Sequence, residues 1–243
     1  MSITTAMVLA AGHGTRMRPL TNDRSKAMVE VNGAPLIDHM LARLSEVGVS
    51  KAVVNVHAHA DHLEGHLAGR SSAPEIIISD ERTQLLETGG GVVKALPLLG
   101  DDPIFMCNID AVWLEKTSAL KAMMKMWNPE IMDDLLLLAP IEKTLGYAGA
   151  GDFKLTDDGQ IMRRSGESAP YVYAGVQIGR LDPFRGFKTE PFSRNKVWNK
   201  SLASGRAYGV VLDGFWFHVG DPAAAEVTSE ILSEQTLFEK RGA

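Results

Sequence analysis

Met7-Val8-Leu9-Ala10-Ala11-Gly12-His13-Gly14-Thr15-Arg16-Met17-Arg18-Pro19-Leu20-Thr21, followed by Ser25-Lys26, decides how this chain reads. An apolar run over residues 3–10 predicts a strand that enters a loop of small residues. Gly12 and Gly14, with Ala10 and Ala11, let a polyanion approach the backbone, where N–H groups cradle phosphate oxygens. Arg16, Arg18 and Lys26 add donors for charge-assisted bonds. A strand-to-loop turn this early is where α/β folds often place a phosphate site. Two better-known glycine loops are excluded. A dinucleotide fingerprint needs a third glycine near Met17, and a P-loop needs Gly-Lys-Ser/Thr; neither is present.

Outward from this stretch, apolar runs alternate with helical patterns. Strands are expected at 52–56, 75–79, 104–109 and 135–139, and helices at 36–47, 59–67, 90–98 and 114–127. Leu36, Ile37, Met40, Leu41 and Leu44 recur at helical spacing. Continuous Val/Ile/Leu strands separated by helices imply an α/β doubly wound fold, with a mostly parallel central sheet covered on both faces. Beyond about residue 140 the strands shorten. Segments 153–156, 161–164 and 171–178, with Asp158-Gly159 as a hairpin turn, read as a small antiparallel insertion forming a lid or acceptor pocket. A helix over 193–204, strands at 207–212 and 215–217, and an amphipathic helix over 222–238 complete the pattern, with Pro222 in the last helix's first turn.

Composition narrows the class. The 243 residues are 45% hydrophobic and 23% charged, ordinary values for a globular protein. The net charge of −5 carries no basic block for nucleic acid. No apolar run approaches the ~20 residues that span a bilayer, and no basic, apolar leader opens the chain. The single cysteine, Cys107, lies in an apolar run and reads as a buried thiol. These features predict a cytoplasmic protein, a monomer or small homo-oligomer, with no membrane or nucleic-acid partner.

The full run Leu-Ala-Ala-Gly-x-Gly-Thr-Arg-Met-Arg-Pro-Leu-Thr resembles the signature of the sugar-1-phosphate nucleotidyltransferases, or NDP-sugar pyrophosphorylases. The resemblance extends over nearly the whole chain. It implies a Rossmann-like nucleotide-diphospho-sugar transferase domain over 1–243, with a nucleotide-binding half (1–140) and a sugar-binding half (141–243). The left-handed β-helix of many relatives is not expected, because no hexapeptide repeat is present. The implied reaction is NTP plus sugar 1-phosphate giving NDP-sugar and pyrophosphate, with Mg²⁺ as cofactor. Arg16 and Lys26 are the implied catalytic residues. Nucleotide contacts are implied at Leu9, Ala10, Ala11, Gly12, His13, Gly14, Thr15, Glu81, Thr88, Gly89, Gly90 and Asn108. Sugar contacts are implied at Asp110, Glu142, Gly149, Tyr173, Gly175 and Asn199.

Asp110 ends an apolar strand, suited to hold Mg²⁺ beside phosphates, and the resemblance implies this role; a helix N-cap is the alternative. Glu87-Thr88-Gly89-Gly90-Gly91 precedes a predicted helix and reads as a loop facing the base, or as helix caps. Its form looks most like the family branch that joins UTP to N-acetylmuramate 1-phosphate, with mannose 1-phosphate guanylyl transfer as the alternative. The Arg-Pro-Leu-Thr extension suits sugar-phosphate enzymes better than cytidylyl- or molybdopterin-type transferases. Relatives usually read Trp-x-Asp-x-Gly-Thr where this chain has Trp216-Phe217-His218-Val219-Gly220-Asp221. His218 thus occupies the place of a second metal-binding Asp, although Mg²⁺ prefers oxygen. Three alternatives follow: His218 donates to phosphate, Asp213 or Asp221 supplies an oxygen, or Asp110 is the only protein ligand. The same change admits an idle nucleotide-sugar sensor as a reading from a different class. A Glu-Lys-Pro segment of the family is absent, and Arg163 or Arg164 stands nearby as a phosphate-binding substitute. The 195–199 segment is a further candidate wall, with Trp198 as either lining or core. His57, His59, His62 and His66 lack a carboxylate or thiolate context for zinc and read as a solvated face.

Overall fold

The computed structural model describes residues 2–101 and 103–241, with side chains described as far as Gln235. In chain order the first elements are β1 (Thr5–Leu9), β2 (Glu30–Val31), β3 (Ala34–Pro35), α1 (Leu36–Glu46) and β4 (Lys51–Val56). Then come α2 (Ala60–Ala68), β5 (Glu75–Asp80), α3 (Glu87–Leu99), β6 (Ile104–Asn108), β7 (Ala111–Glu115), α4 (Ala119–Met126) and β8 (Asp134–Pro140). The second half carries β9 (Thr144–Leu145), β10 (Phe153–Leu155), β11 (Ile161–Arg163) and β12 (Tyr171–Gly179). It ends with α5 (Asn195–Ala203), β13 (Ala207–Val211), β14 (Gly214–His218) and α6 (Pro222–Arg241).

The central sheet runs β5-β4-β1-β6-β12, with β8 beyond β12 and β13 beyond β8. β5, β4, β1 and β6 are parallel, β12 is antiparallel to β6 and β8, and β13 is parallel to β8. Strand residues alternate between two cores. Ala6, Val8, Val54 and Cys107 pack with α1 on one face, while Met7, Val53, Ile104 and Met106 pack with Val92, Val93 and Leu99 of α3 on the other. Burial on both faces explains the unbroken apolar strands. In α1, the buried residues are the five that recur at helical spacing.

Two segments differ from the sequence reading. Residues 114–127 do not form one helix: Ala111–Glu115 is β7, paired antiparallel with β14 so that Trp113 lies opposite Trp216. A new helix, α4, then starts after Ser118, whose Oγ accepts the Lys121 N–H at 3.4 Å. Cross-strand aromatic pairing outweighs the helical spacing of Leu114 and its neighbours. The 171–178 strand is also no separate insertion, because β12 completes the central sheet. β10 and β11 form the expected hairpin at its edge, with Gly159 at φ 85° in the turn.

A buried polar chain ties β8, β12 and α5 together. Asp134 accepts from Ser201 Oγ (2.6 Å) and Gln177 Nε2 (2.9 Å), and Gln177 Oε1 accepts from Trp198 Nε1 (2.8 Å). Burial raises the Asp134 pKa to about 6. Below the ordinary value of 3.8 the group is protonated in both folded and unfolded chains. As pH rises towards 6 the unfolded chain ionises first, so stability is lost, on the order of 2 kcal/mol. Asp134→Asn is expected to retain the fold and flatten this slope, measured by urea midpoints between pH 4 and pH 7.

Candidate active site

The chain steps from β1 outward to β4 and β5, then returns to β6 on the other side of β1. Loops after β1 and β6 therefore diverge at the switch point, where open α/β sheets bind ligands. A cavity of about 450 Å³ opens there. Leu9, Ala10, Ala11, Gly12, Gly14, Thr15, Arg16 and Lys26 line it from the first loop, with Thr88, Asn108 and Asp110 opposite. These eleven expected site residues come together. His13 does not line the cavity; its ring meets His57 edge-on at 5.0 Å.

The loop is fixed from behind. Asn55 Oδ1 accepts the N–H groups of Ala10 (2.7 Å) and Ala11 (3.3 Å), so these two donors serve the fold. Among the described residues the N–H groups of Gly12 and Gly14, which line the cavity, have no hydrogen-bond partner. Gly14 has φ 61°, and a Cβ there would press on Lys26 Cβ at 2.9 Å, so glycine is needed. Glu81 is fully buried: Oε1 accepts from Asn55 Nδ2 (2.8 Å) and Oε2 from the Leu86 N–H (3.0 Å). It positions the loop through Asn55 and does not reach the cavity. Glu81→Gln forces one donor against another, and flipping Asn55 only moves the conflict to Ala10. A loss of about 1–3 kcal/mol and a raised nucleotide KM are expected, checked by denaturation and steady-state kinetics.

Glu87-Thr88-Gly89-Gly90-Gly91 is the first turn of α3, not a loop before it. Gly89 and Gly90 do not line the cavity; both N–H groups donate to Phe192 O, at 2.8 and 3.3 Å. A Cβ on Gly89 would enter the Phe192 ring, and one on Gly90 would overlap the Glu190 carbonyl. These glycines let a helix meet a neighbouring chain segment, whereas Thr88 faces the cavity. Thr88 Oγ1 also accepts the Arg194 N–H at 2.9 Å.

Asp110 lies where this cavity meets a second one of about 380 Å³. Its Oδ2 accepts from Lys26 Nζ at 2.9 Å. Burial would raise its pKa, but Lys26 and His218 outweigh burial and hold the carboxyl below the ordinary range. The N-cap alternative has no helix to cap, since β7 follows. His218 borders the second cavity, stacked on Trp216 at 5.5 Å. Burial pushes its pKa down despite Asp110. Asp221 accepts the Ala224 N–H at 2.9 Å as the cap of α6, and neither Asp213 nor Asp221 lines either cavity.

Of the expected sugar residues, Asp110, Tyr173 and Gly175 line the second cavity. Gly175, at φ 87°, sits in a bulge of β12 against Ala111. Glu142 and Gly149 do not line it; Glu142 is exposed, and a Cβ on Gly149 would meet the Tyr147 side chain. Asn199 is also off the wall, but its Oδ1 accepts from Arg163, which is on it. Arg164 instead donates to Glu167 O at 3.2 Å. Trp198 is both core and wall, only 7% exposed. Arg194 was not singled out by the sequence. It is 3% exposed, donates to Tyr173 Oη (3.0 Å) and lies over the Trp198 ring at 5.1 Å. Among the described residues its Nε and Nη1 have no hydrogen-bond partner. A lone arginine after Phe192-Ser193 carries no spacing signal; only the fold brings it to the site. Among the described residues no cluster of three metal-binding side chains forms, and His66 pairs with Asp38.

The MobA-like NTP transferase domain profile matches residues 6–133, more than half of the chain. The N-acetylmuramate alpha-1-phosphate uridylyltransferase of Caulobacter vibrioides is 50% identical over 234 residues, covering 94% of this chain and 97% of its own length. This chain belongs to the MobA-like NTP transferase family. The protein of the same name from Neisseria meningitidis serogroup B is 32% identical, with 88% of this chain and 92% of its own covered. Among solved structures, a UDP-glucose pyrophosphorylase bound to UDP-glucose superposes with TM-score 0.78 at 15% identity, covering 96% of this chain and 99% of its own. The inositol-1-phosphate CTP transferase of T. maritima gives 0.74 at 19% identity, with 95% and 97% covered. These two likenesses show that the chain shares their fold. Among the described residues, no helix is long and apolar enough to cross a membrane.

Proposed function

We propose that this protein transfers a uridylyl group from UTP to N-acetylmuramate 1-phosphate in the cytoplasm, giving the UDP-sugar and pyrophosphate. The observation that carries the reading is the pair of cavities meeting at Thr88, Asn108, Asp110 and Ser193. One is lined by the glycine loop and cations, the other by aromatic and polar side chains, so two substrates meet at a shared wall. The similarity to two N-acetylmuramate alpha-1-phosphate uridylyltransferases along most of the chain supports this choice of base and sugar.

The acceptor's phosphate oxygen attacks the α-phosphorus of UTP in line, and the bond to pyrophosphate breaks. No covalent enzyme intermediate is needed, so catalysis is alignment and charge neutralisation. Gly12 and Gly14 present N–H groups to the triphosphate. Arg16, exposed at the cavity mouth, neutralises the departing pyrophosphate. Lys26 holds the phosphate region close to Asp110. The Asp110 carboxylate suits Mg²⁺, a hard ion that takes one or two carboxylates plus phosphate oxygens. Asp110 would hold it without His218, whose ring brings no oxygen. When bound, Mg²⁺ supplies charge to polarise the α-phosphate.

The test is pyrophosphate release from a matrix of UTP, GTP, dTTP and CTP against the 1-phosphates of N-acetylmuramate, N-acetylglucosamine, mannose and glucose. UTP with N-acetylmuramate 1-phosphate is expected to give the highest kcat/KM. A maximum at GTP with mannose 1-phosphate replaces the reading, and silence throughout points to a sensor.

A further inference from the structure

Arg163 projects from β11 onto the acceptor cavity and does not line the nucleotide cavity, whereas Arg16 and Lys26 do the reverse. Its charge is therefore not spent on the triphosphate. Its Nε donates to Asn199 Oδ1 at 3.1 Å, and Nη2 donates to Asn195 Oδ1 and Asn199 Oδ1, both at 2.9 Å. The guanidinium also lies over the Phe153 ring at 5.6 Å. Among the described residues it has no ion-pair partner, and Nη1 makes no hydrogen bond.

Two neutral amides from successive turns of α5 thus orient the guanidinium without cancelling its charge. Aspartates at those positions would orient it equally and neutralise it. Asp152, on the same cavity, attracts the guanidinium at a distance but makes no ion pair with it; its Oδ2 accepts the Tyr173 N–H at 3.0 Å. A cation that is held in place by neutral groups, reaches the cavity and keeps the Nη1 donors open suits an anionic group arriving with a ligand.

We propose that Arg163 recognises a carboxylate on a ring substituent of the acceptor, and so selects acidic sugar 1-phosphates over neutral ones. This rests on the acceptor reading above. N-acetylmuramate differs from N-acetylglucosamine by a lactyl ether, and the carboxylate of that ether is the added charge. Arg163 then acts as a specificity residue, and Asn195 and Asn199 as positioning residues.

The experiment measures kcat/KM with UTP for N-acetylmuramate 1-phosphate and N-acetylglucosamine 1-phosphate, and takes the ratio. Arg163→Gln is expected to lower the ratio roughly 10- to 100-fold, the range of a charge-assisted bond. Asn199→Asp leaves Arg163 in place but neutralises it, and is expected to lower the ratio in the same direction. It also provides the test if Arg163→Gln fails to fold. Losses equal on both acceptors, or a ratio within threefold of wild type in both variants, overturn the inference and leave the acceptor reading standing. A wild-type enzyme that accepts N-acetylglucosamine 1-phosphate but not N-acetylmuramate 1-phosphate overturns both.

Discussion

Asp110→Asn is expected to lower turnover on the order of 10³-fold, the upper range for losing one preorganised charge in a phosphoryl-type site. Asparagine has the same shape, and the main-chain bond from Val219 N–H to Asp110 O, at 3.1 Å, is unaffected. What disappears is the charge facing Lys26 and the oxygen donor for a cation. The pair is only partly buried, with side chains 12% and 24% exposed, so the fold is expected to persist. Circular dichroism reports the fold, and a Mn²⁺ titration reports the cation independently of turnover. Wild-type rates with an unchanged Mg²⁺ requirement would remove Asp110 from its assigned role.

Gly90→Ala is the largest expected effect on stability. The new methyl meets the Glu190 carbonyl, a backbone group that cannot rotate away. Overpacking of this kind costs about 3 kcal/mol or more, against a gain of at most about 1 kcal/mol from better helix propensity. The melting temperature should fall by about 4 °C or more. Gly65→Ala is the control: it lies within α2 with nothing inside 4 Å of the new methyl, so only the propensity gain remains. Equal melting temperatures for the two variants would show that the α3 contact yields.

The parallel sheet was legible because strands buried on both faces need unbroken apolar runs, as in Met7-Val8-Leu9 and Ile104-Phe105-Met106. One wall of the first cavity was legible because Leu9–Gly12, Gly14–Met17 and Lys26 lie close together in sequence; the facing wall, from Thr88 to Gly220, is assembled by the fold. The acceptor cavity draws on β10, β11, β12 and the start of α5, brought together only by sheet pairing. Arg194 and Asp152 accordingly carried no local signal. Glu81 was placed near the nucleotide but acts one step back, through Asn55. The glycines of α3 read as a ligand loop because spacing cannot distinguish room for a base from room for Glu190 and Phe192.

The position of β12 bears on how the chain acquires its structure during synthesis. β8 pairs only with β12 and β13, and the far side of β6 is covered by β12. Until Gly179 has emerged, the nascent chain therefore carries an apolar strand with an open edge, even though residues 6–133, which the family profile matches, are already present. Such edges recruit other strands. Closing this one joins segments about 70 residues apart, which slows the step by its loop entropy. The matched segment is thus not by itself a unit of folding: a chain cut after β8 is expected to aggregate, and one that includes β13 can complete its sheet.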